Sequence, residues 1–266
     1  MDSSSTKSGI ANLVHLILFL LIPLLWLFII VTFQFPFPVW YMILAQAAVS
    51  IYFFIARRQL FNPSLFFILL LLTSFIPLPE GIWLLNILIA VVALIGLIYI
   101  IPPLKKVAIR FPRGYFDRRI ILYSILVIVI SAIALIVWKS LAKPDIRALM
   151  ASAMDIDPKY ILPAIIAFPI FNAIAEELMF RWILWDGLTE LIQSSIVVII
   201  IQSLIFGLSH YHGFPNGWLG VGMAAIYGLM LGYIRYRSKG LLAPMLTHIF
   251  ADITIILIVF ISAGII

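Results

Sequence analysis

Nine apolar stretches follow one another along this chain, at 13–33, 38–56, 64–79, 82–101, 119–138, 161–183, 194–210, 218–235 and 241–263. A membrane-spanning helix needs about 20 mainly apolar residues, and each stretch approaches or reaches that length. Within hydrocarbon, every backbone N–H and C=O must be satisfied inside the segment, so runs of this kind fold as α-helices. The expectation is an all-α fold, a polytopic transmembrane helical bundle of eight or nine spans. The count turns on the third stretch, SLFFILLLLTSFIPL, which is short and ends against Pro77 and Pro79. No internal repeat relates one part of the chain to another, which argues against the two-halved transporter folds.

Composition closes off a soluble fold. Sixty-five per cent of the 266 residues are hydrophobic and the mean hydropathy is +1.21, whereas an ordinary soluble domain is about 45 to 50 per cent apolar. The first apolar run is longer than the core of a signal peptide, and no small-residue cleavage pattern follows it, so a retained span is expected. Net charge is +6, from 17 Lys and Arg against 11 Asp and Glu. In a soluble protein that excess would suggest a nucleic-acid partner. Here it gathers in short connections: Arg57 and Arg58; Lys105, Lys106, Arg110, Arg113, Arg118 and Arg119; Arg235, Arg237 and Lys239. With nine spans and a cytoplasmic N-terminus, all three clusters fall on the cytoplasmic side, as the positive-inside rule requires. No nucleic-acid partner is expected. The expected setting is the lipid bilayer, as a multi-pass integral protein of a prokaryotic plasma membrane. The absence of cysteine removes disulfides, thiolate metal sites and cysteine nucleophiles.

The polar connection from Lys139 to Tyr160 divides the chain into N-terminal helices, 1–155, expected to serve as scaffold or gate, and a core, 156–266, expected to hold the chemistry. In the first part His15 is the main ionisable residue within a span and reads as structural. In the second part nearly every span carries a polar signature. A charge at bilayer depth costs about 2.5 to 3.5 kcal/mol on insertion scales, so such groups normally face a polar interior and work there.

Span six contains FPIFNAIAEELMFRWILW. On an α-helix Asn172, Glu176 and Phe180 share one face, while Glu177 and Arg181 share its neighbour. Glu177 is placed to pair with Arg181. Glu176 is left without that partner and is available as a general base. Span seven ends in FGLSHYHGFPNG, with Phe206 and His210 on one face and His212 past the expected helix end. Span nine opens KGLLAPMLTHIFADIT, with His248 and Asp252 four apart. No HExxH, GxSxG or Cys–His signature is present. Glu176, His210, His248 and Asp252 remain, and they permit two mechanisms. In one, Glu176 and His210 deprotonate a water that attacks a carbonyl, while His248 and its partner stabilise the oxyanion. In the other, Glu176, His210 and His248 hold a zinc ion that activates the water. Spacing alone does not choose between them. Buried Glu, His and Asp also build proton relays, so a proton-coupled transporter is a rival class. A non-catalytic membrane immunity protein is another.

The EExxxR of Glu176 to Arg181, the FxxxH of Phe206 to His210 and the HxxxD of His248 to Asp252, in this order on successive apolar helices, resemble the CPBP family. That family comprises the CAAX prenyl proteases and bacteriocin-processing enzymes, also called Abi. The resemblance covers roughly 160–255. It implies an integral-membrane endopeptidase of the glutamate type, acting without a metal cofactor on a membrane-anchored or lipidated protein or peptide. By position, Glu176 and His210 would activate water, His248 and Asp252 would lie near the oxyanion, and Glu177 and Arg181 would support the site, with Phe206 and Asn172 beside it. The family often has asparagine at the last position. An asparagine amide donates a hydrogen bond and an ionised aspartate does not, so Asp252 is expected to orient His248 or to be protonated.

Overall fold

The computed structural model describes residues 3–32, 39–56, 58–73, 75–76, 84–105 and 111–265. Among these the chain is all-α: α1 (Ser3–Thr32), α2 (Val39–Ala56), α3 (Arg58–Thr73), α4 (Leu84–Ile100), α5 (Pro102–Lys105), α6 (Arg118–Ala142), α7 (Arg147–Met154), α8 (Ile161–Glu176), a π-helical turn (Glu177–Leu184), α9 (Trp185–Thr189), α10 (Ser195–Ser209), α11 (Gly217–Ser238) and α12 (Leu242–Ser262).

The expected eight or nine spans are not found. Among the described residues four helical runs are long and apolar enough to cross a membrane: Arg118–Ala142, Pro158–Thr189, Gly217–Ser238 and Leu242–Ser262. The other apolar stretches contribute shorter apolar segments among the described residues, Ala11–Leu24 within α1, Tyr41–Ala56 within α2, Gln59–Thr73 within α3, Leu85–Ile100 within α4 and Ser195–Ser209, which is α10. For α3, α4 and α10 the physical reason is length. At about 1.5 Å per residue, a helix of 15 to 17 residues falls short of the roughly 30 Å hydrocarbon core. The orientation argument, which depended on nine spans, falls with the count. Arg57, Pro77, Pro79, Lys106 and Arg110 lie outside the described residues. Arg235, read above as a connection charge, is instead a buried residue of α11.

The burial pattern is inside-out relative to a soluble bundle. Along α6, Ile121, Leu122, Ile125, Val129, Ile133 and Ile136 are exposed. Asn172, Glu176, Glu177, Arg181, Gln202, His248 and Asp252 are buried. A chain in water would gain by the opposite arrangement. A chain in lipid gains by this one, because the bundle interior is the place where polar groups find partners. The protein is an all-α, multi-span membrane protein.

The main apolar core ties the N-terminal helices to the π turn. Phe19 and Ile22 of α1, Phe66 and Leu70 of α3, and Ile87 and Val91 of α4 pack with Met179, Phe180, Ile183 and Leu184. His15 is buried in α1, within 2.9 Å of the Tyr52 hydroxyl. The first helices therefore hold the π turn in place from behind.

Helices α10 and α11 approach each other closely. A Cβ on Gly207 would lie 2.7 Å from both the Ala225 side chain and the Val221 carbonyl, so only glycine permits the approach. Gln202 adds a buried cross-link, its Nε2 donating to the Gly228 carbonyl at 3.1 Å. At one end of the bundle, α6 starts at Asp117, whose Oδ1 accepts from the Ile120 amide at 2.7 Å. The segment before it crosses the α11–α12 turn. The Tyr115 amide donates to the Ser238 carbonyl at 3.0 Å, and the Leu241 amide donates to the Pro112 carbonyl at 2.8 Å. Gly114, at φ 79, and Gly240 meet backbone to backbone there. This clip fixes α6 against α11 and α12, the helices that line the site.

Candidate active site

The centre of the site is where α8 passes into the π turn. π-Helical turns are rare and frequently accompany functional sites. Here the turn begins at Glu177, directly after Glu176. Glu176 is 3 % exposed, and Glu177 and Arg181 are fully buried. Arg181 Nη1 lies 3.1 Å from Glu177 Oε1. The Arg181 guanidinium also lies 4.2 Å from the centre of the Phe206 ring. A buried cation is tolerated only when paired, and this one has a carboxylate on one side and an aromatic face on another.

Helix α12 brings His248 into the same cluster. Its Nδ1 is 2.8 Å from Glu177 Oε1. Because Glu177 also faces Arg181, its carboxylate is the acceptor and the imidazole Nδ1–H the donor. Nε2 therefore points to the remaining groups, 3.6 Å from Glu176 Oε2 and 3.5 Å from Asp252 Oδ1. Asp252 is anchored by Asn172, whose Nδ2 donates to Oδ2 at 2.9 Å. Simple counting of helix rise sets His248 well below Glu176, but the structure brings the two side chains together.

His210 is the first residue past α10, and it is half-buried. Its Nδ1 is 2.9 Å from the carbonyl oxygen of Phe206. A carbonyl only accepts, so Nδ1 carries the proton and Nε2 is the acceptor of the neutral ring. This gives the FxxxH spacing a mechanical meaning, since the residue four earlier holds the histidine through its backbone. The Phe206 ring is fully buried between Phe180, at 5.0 Å, and His210, at 4.5 Å, centre to centre. It separates the Glu177–Arg181 pair from the open side of the site.

A cavity of about 400 Å³ exposes these groups. Glu176, His210, His248, Asp252 and Asn172 line it together with Tyr227 of α11. Much of the remaining wall is apolar and includes Ile130 and Leu135 of α6. Ile130 and Ile226 are wall residues that are themselves exposed, so the cavity opens outward between α6 and α11. His212 stands exposed at the rim.

Among the described residues no group of three or more His, Cys, Asp or Glu side chains is arranged to hold a metal ion. Each histidine has Nδ1 engaged within the protein, with Glu177 and with Phe206, and keeps Nε2 for the cavity.

Three features were not singled out from sequence. The π turn has no spacing signature, because its residues are ordinary helix formers. Arg235 donates from Nε to the Arg181 carbonyl at 3.0 Å and lies 3.9 Å from Asp186, bracing the turn from α11. Tyr227 sits in a run of small and apolar residues, where an aromatic reads as packing.

No curated protein and no solved structure matches the chain. Residues 158–254 match the family described as Rce1-like, type II CAAX prenyl endopeptidase. The match begins just before α8 and ends just after Asp252, so it contains all three motifs. Glu176, Glu177 and His248 form the clustered, buried Glu/His-type arrangement of that family's enzymes. Over residues 158–254, the part of the chain that carries the clustered glutamates and histidines, this protein is therefore similar to the Rce1-like family of type II CAAX prenyl endopeptidases.

Proposed function

We propose that the protein hydrolyses a peptide bond of a membrane-anchored or lipidated protein or peptide, with Glu176 and His210 as the groups that activate water. The observation that carries this reading is the meeting of Glu176, His210 and His248 in one cavity that opens outward between α6 and α11. Glu176 Oε2 is buried and has no hydrogen-bond partner within the protein. It is disposed to take a proton from a water that the acceptor Nε2 of His210 also orients. The water oxygen bonds to the scissile carbonyl carbon, and the carbonyl π electrons move onto its oxygen. Collapse of that intermediate re-forms the carbonyl and breaks the C–N bond, and the proton held by Glu176 passes to the leaving amine. His248, fixed by Glu177, stands beside the reacting centre.

The finer substrate assignment rests on the shape of the wall. A mostly apolar lining with an outward opening suits a substrate delivered from the bilayer, such as a prenylated C-terminus or a hydrophobic tail. In this reading helices up to residue 155 form scaffold and guiding wall, with α6 supplying part of the lining. A prokaryotic plasma membrane is the setting we favour, and there a hydrophobic tail or peptide is the preferred target.

The test uses purified protein in detergent with two quenched-fluorescence peptides, one farnesylated at a CAAX-type cysteine and one ending in a hydrophobic tail. Cleavage of either, abolished in Glu176→Gln, is the expected result. No cleavage by the wild-type protein, or equal cleavage by the variant, overturns the reading.

A further inference from the structure

We infer that Tyr227 is a catalytic residue of this site, its phenol donating the hydrogen bond that stabilises the oxyanion. The inference rests on the protease reading above and names a group which that reading does not use.

The cavity groups sort by what they are able to donate. A tetrahedral intermediate needs a donor aimed at its oxygen, placed in advance and not already spent. Glu176, as the base, is an acceptor at the start of the reaction. Asp252 accepts from Asn172 through Oδ2, and an ionised carboxylate has no proton to give. His210 spends its Nδ1–H on the Phe206 carbonyl. His248 spends its Nδ1–H on Glu177. Its Nε2 donates only as imidazolium, and then two carboxylate oxygens at 3.5 and 3.6 Å compete for that proton. The Asn172 amide gives one N–H to Asp252 and is also hydrogen-bonded to Glu176, so it is committed to the two carboxylates.

Tyr227 differs from all of these. It projects from α11 into the same cavity, on the wall facing α12. Its ring stands nearly perpendicular to that of His248, at 81° with centres 5.3 Å apart, and 6.4 Å from the Phe206 ring. The ring is thus held by neighbours on two sides. Its hydroxyl is buried and has no hydrogen-bond partner within the protein. A buried phenol normally finds a partner, and an exception is informative when it falls at a reacting centre. The proton-bearing oxygen is in place, packed and uncommitted, beside the imidazole that flanks the reaction. A substrate carbonyl oxygen that gains negative charge would give it the acceptor it lacks. Tyr227 keeps its proton in this role. No bond to it forms or breaks, and the proton released by water still goes to Glu176.

The test is Tyr227→Phe, purified in detergent and assayed with the farnesylated and hydrophobic-tail peptides. Removing one oxyanion donor is expected to lower kcat by about 10- to 1,000-fold, with KM within about threefold. Affinity for a phosphinate peptide that mimics the tetrahedral intermediate should fall in parallel, while affinity for the uncleaved peptide, measured on a Glu176→Gln background, should not. Thermal melting should stay level or rise, since the change removes an unpartnered hydroxyl. The double variant Tyr227→Phe, Asp252→Asn should recover part of the loss, because asparagine brings an N–H donor to the same cavity. Wild-type cleavage that persists within twofold in Tyr227→Phe, or a loss confined to KM, overturns the role of Tyr227 and leaves the protease reading intact. A wild-type protein that cleaves neither peptide sinks both.

Discussion

His248 Nδ1 sits 2.8 Å from Glu177 Oε1, a buried contact that ties α12 to the π turn and decides which nitrogen of the imidazole faces the cavity. The same carboxylate oxygen is 3.1 Å from Arg181 Nη1. One side chain therefore serves two purposes: it neutralises a fully buried cation, and it sets the tautomer of a site histidine. Family-type motifs are usually read as sets of separate residues. Here the second glutamate couples two of the three motifs mechanically.

Glu177→Gln should accordingly cost both stability and rate. The amide keeps the shape of the carboxylate but leaves Arg181 without a counter-charge in a dry interior. Removing one partner of a buried ion pair typically costs about 3 to 5 kcal/mol. Arg181 keeps the Phe206 face, so we expect the lower half of that range, together with slower cleavage as His248 loses its strong acceptor. Thermal melting of the purified variant checks the first effect. An unchanged melting temperature would show that the ring and not the carboxylate balances the cation.

Glu176→Gln separates differently. Oε2 has no hydrogen-bond partner in the protein, and the amide preserves volume, so folding should be undisturbed. Cleavage should fall by roughly 10² to 10⁴, the usual worth of a positioned general base. Activity within tenfold of the wild type would remove Glu176 from that role. The contrast between adjacent glutamates, one costing rate alone and the other costing rate and stability, is a sharper test than either variant by itself.

Phe206→Leu tests the ring that links the motifs. Leucine fills much of the space but offers no π face to Arg181, 4.2 Å away, and no flat surface to His210. A partly desolvated cation–π contact is worth about 1 to 2 kcal/mol, and melting should drop by a corresponding few degrees. The backbone carbonyl that fixes His210 survives the substitution. Rate should therefore fall by less than in Glu176→Gln, on the order of tenfold or below. A loss as large as that of Glu176→Gln would mean that the ring, beyond the carbonyl, positions His210.

Much of the site was legible in the sequence because its contacts are local and periodic. Glu177 and Arg181 are four apart on one helix, and Phe206 and His210 are four apart on another, so spacing implied their proximity before any tertiary information. The grouping of helices α8, α10 and α12 followed from the cost of leaving buried ionisable groups unpartnered. The span count failed because hydropathy reports apolar length and not helix length. The apolar runs behind α3, α4 and α10 form helices of only 15 to 17 residues. Site depth failed because a count of residues assumes straight α-helices, whereas a π turn intervenes after Glu176 and α12 packs against α8. Arg235 and Tyr227 were missed for a third reason. Each acts across helices, on the Arg181 carbonyl and in the cavity, and no pattern within α11 announces a partner on another element.

Metal removal is the prediction that bears most directly on mechanism. A catalytic zinc site needs about three protein ligands converging on one point, with a fourth position left open. The available set is Glu176, His210 and His248, with Asp252 nearby. His248 has committed Nδ1 to Glu177, and His210 has committed Nδ1 to the Phe206 carbonyl, which leaves one nitrogen on each ring. Among the described residues these side chains do not form a metal-binding group. Water activation by Glu176 and His210 requires no ion, because the base accepts the proton directly. Exhaustive dialysis against a chelator should therefore leave cleavage within about twofold of its starting value. Metal analysis of the active preparation should find well under one zinc per chain. His210→Ala does not discriminate, since either mechanism loses a required group. Activity that disappears on chelation and returns stoichiometrically with added zinc would show that the side chains rearrange into a ligand set, and would overturn the metal-free mechanism.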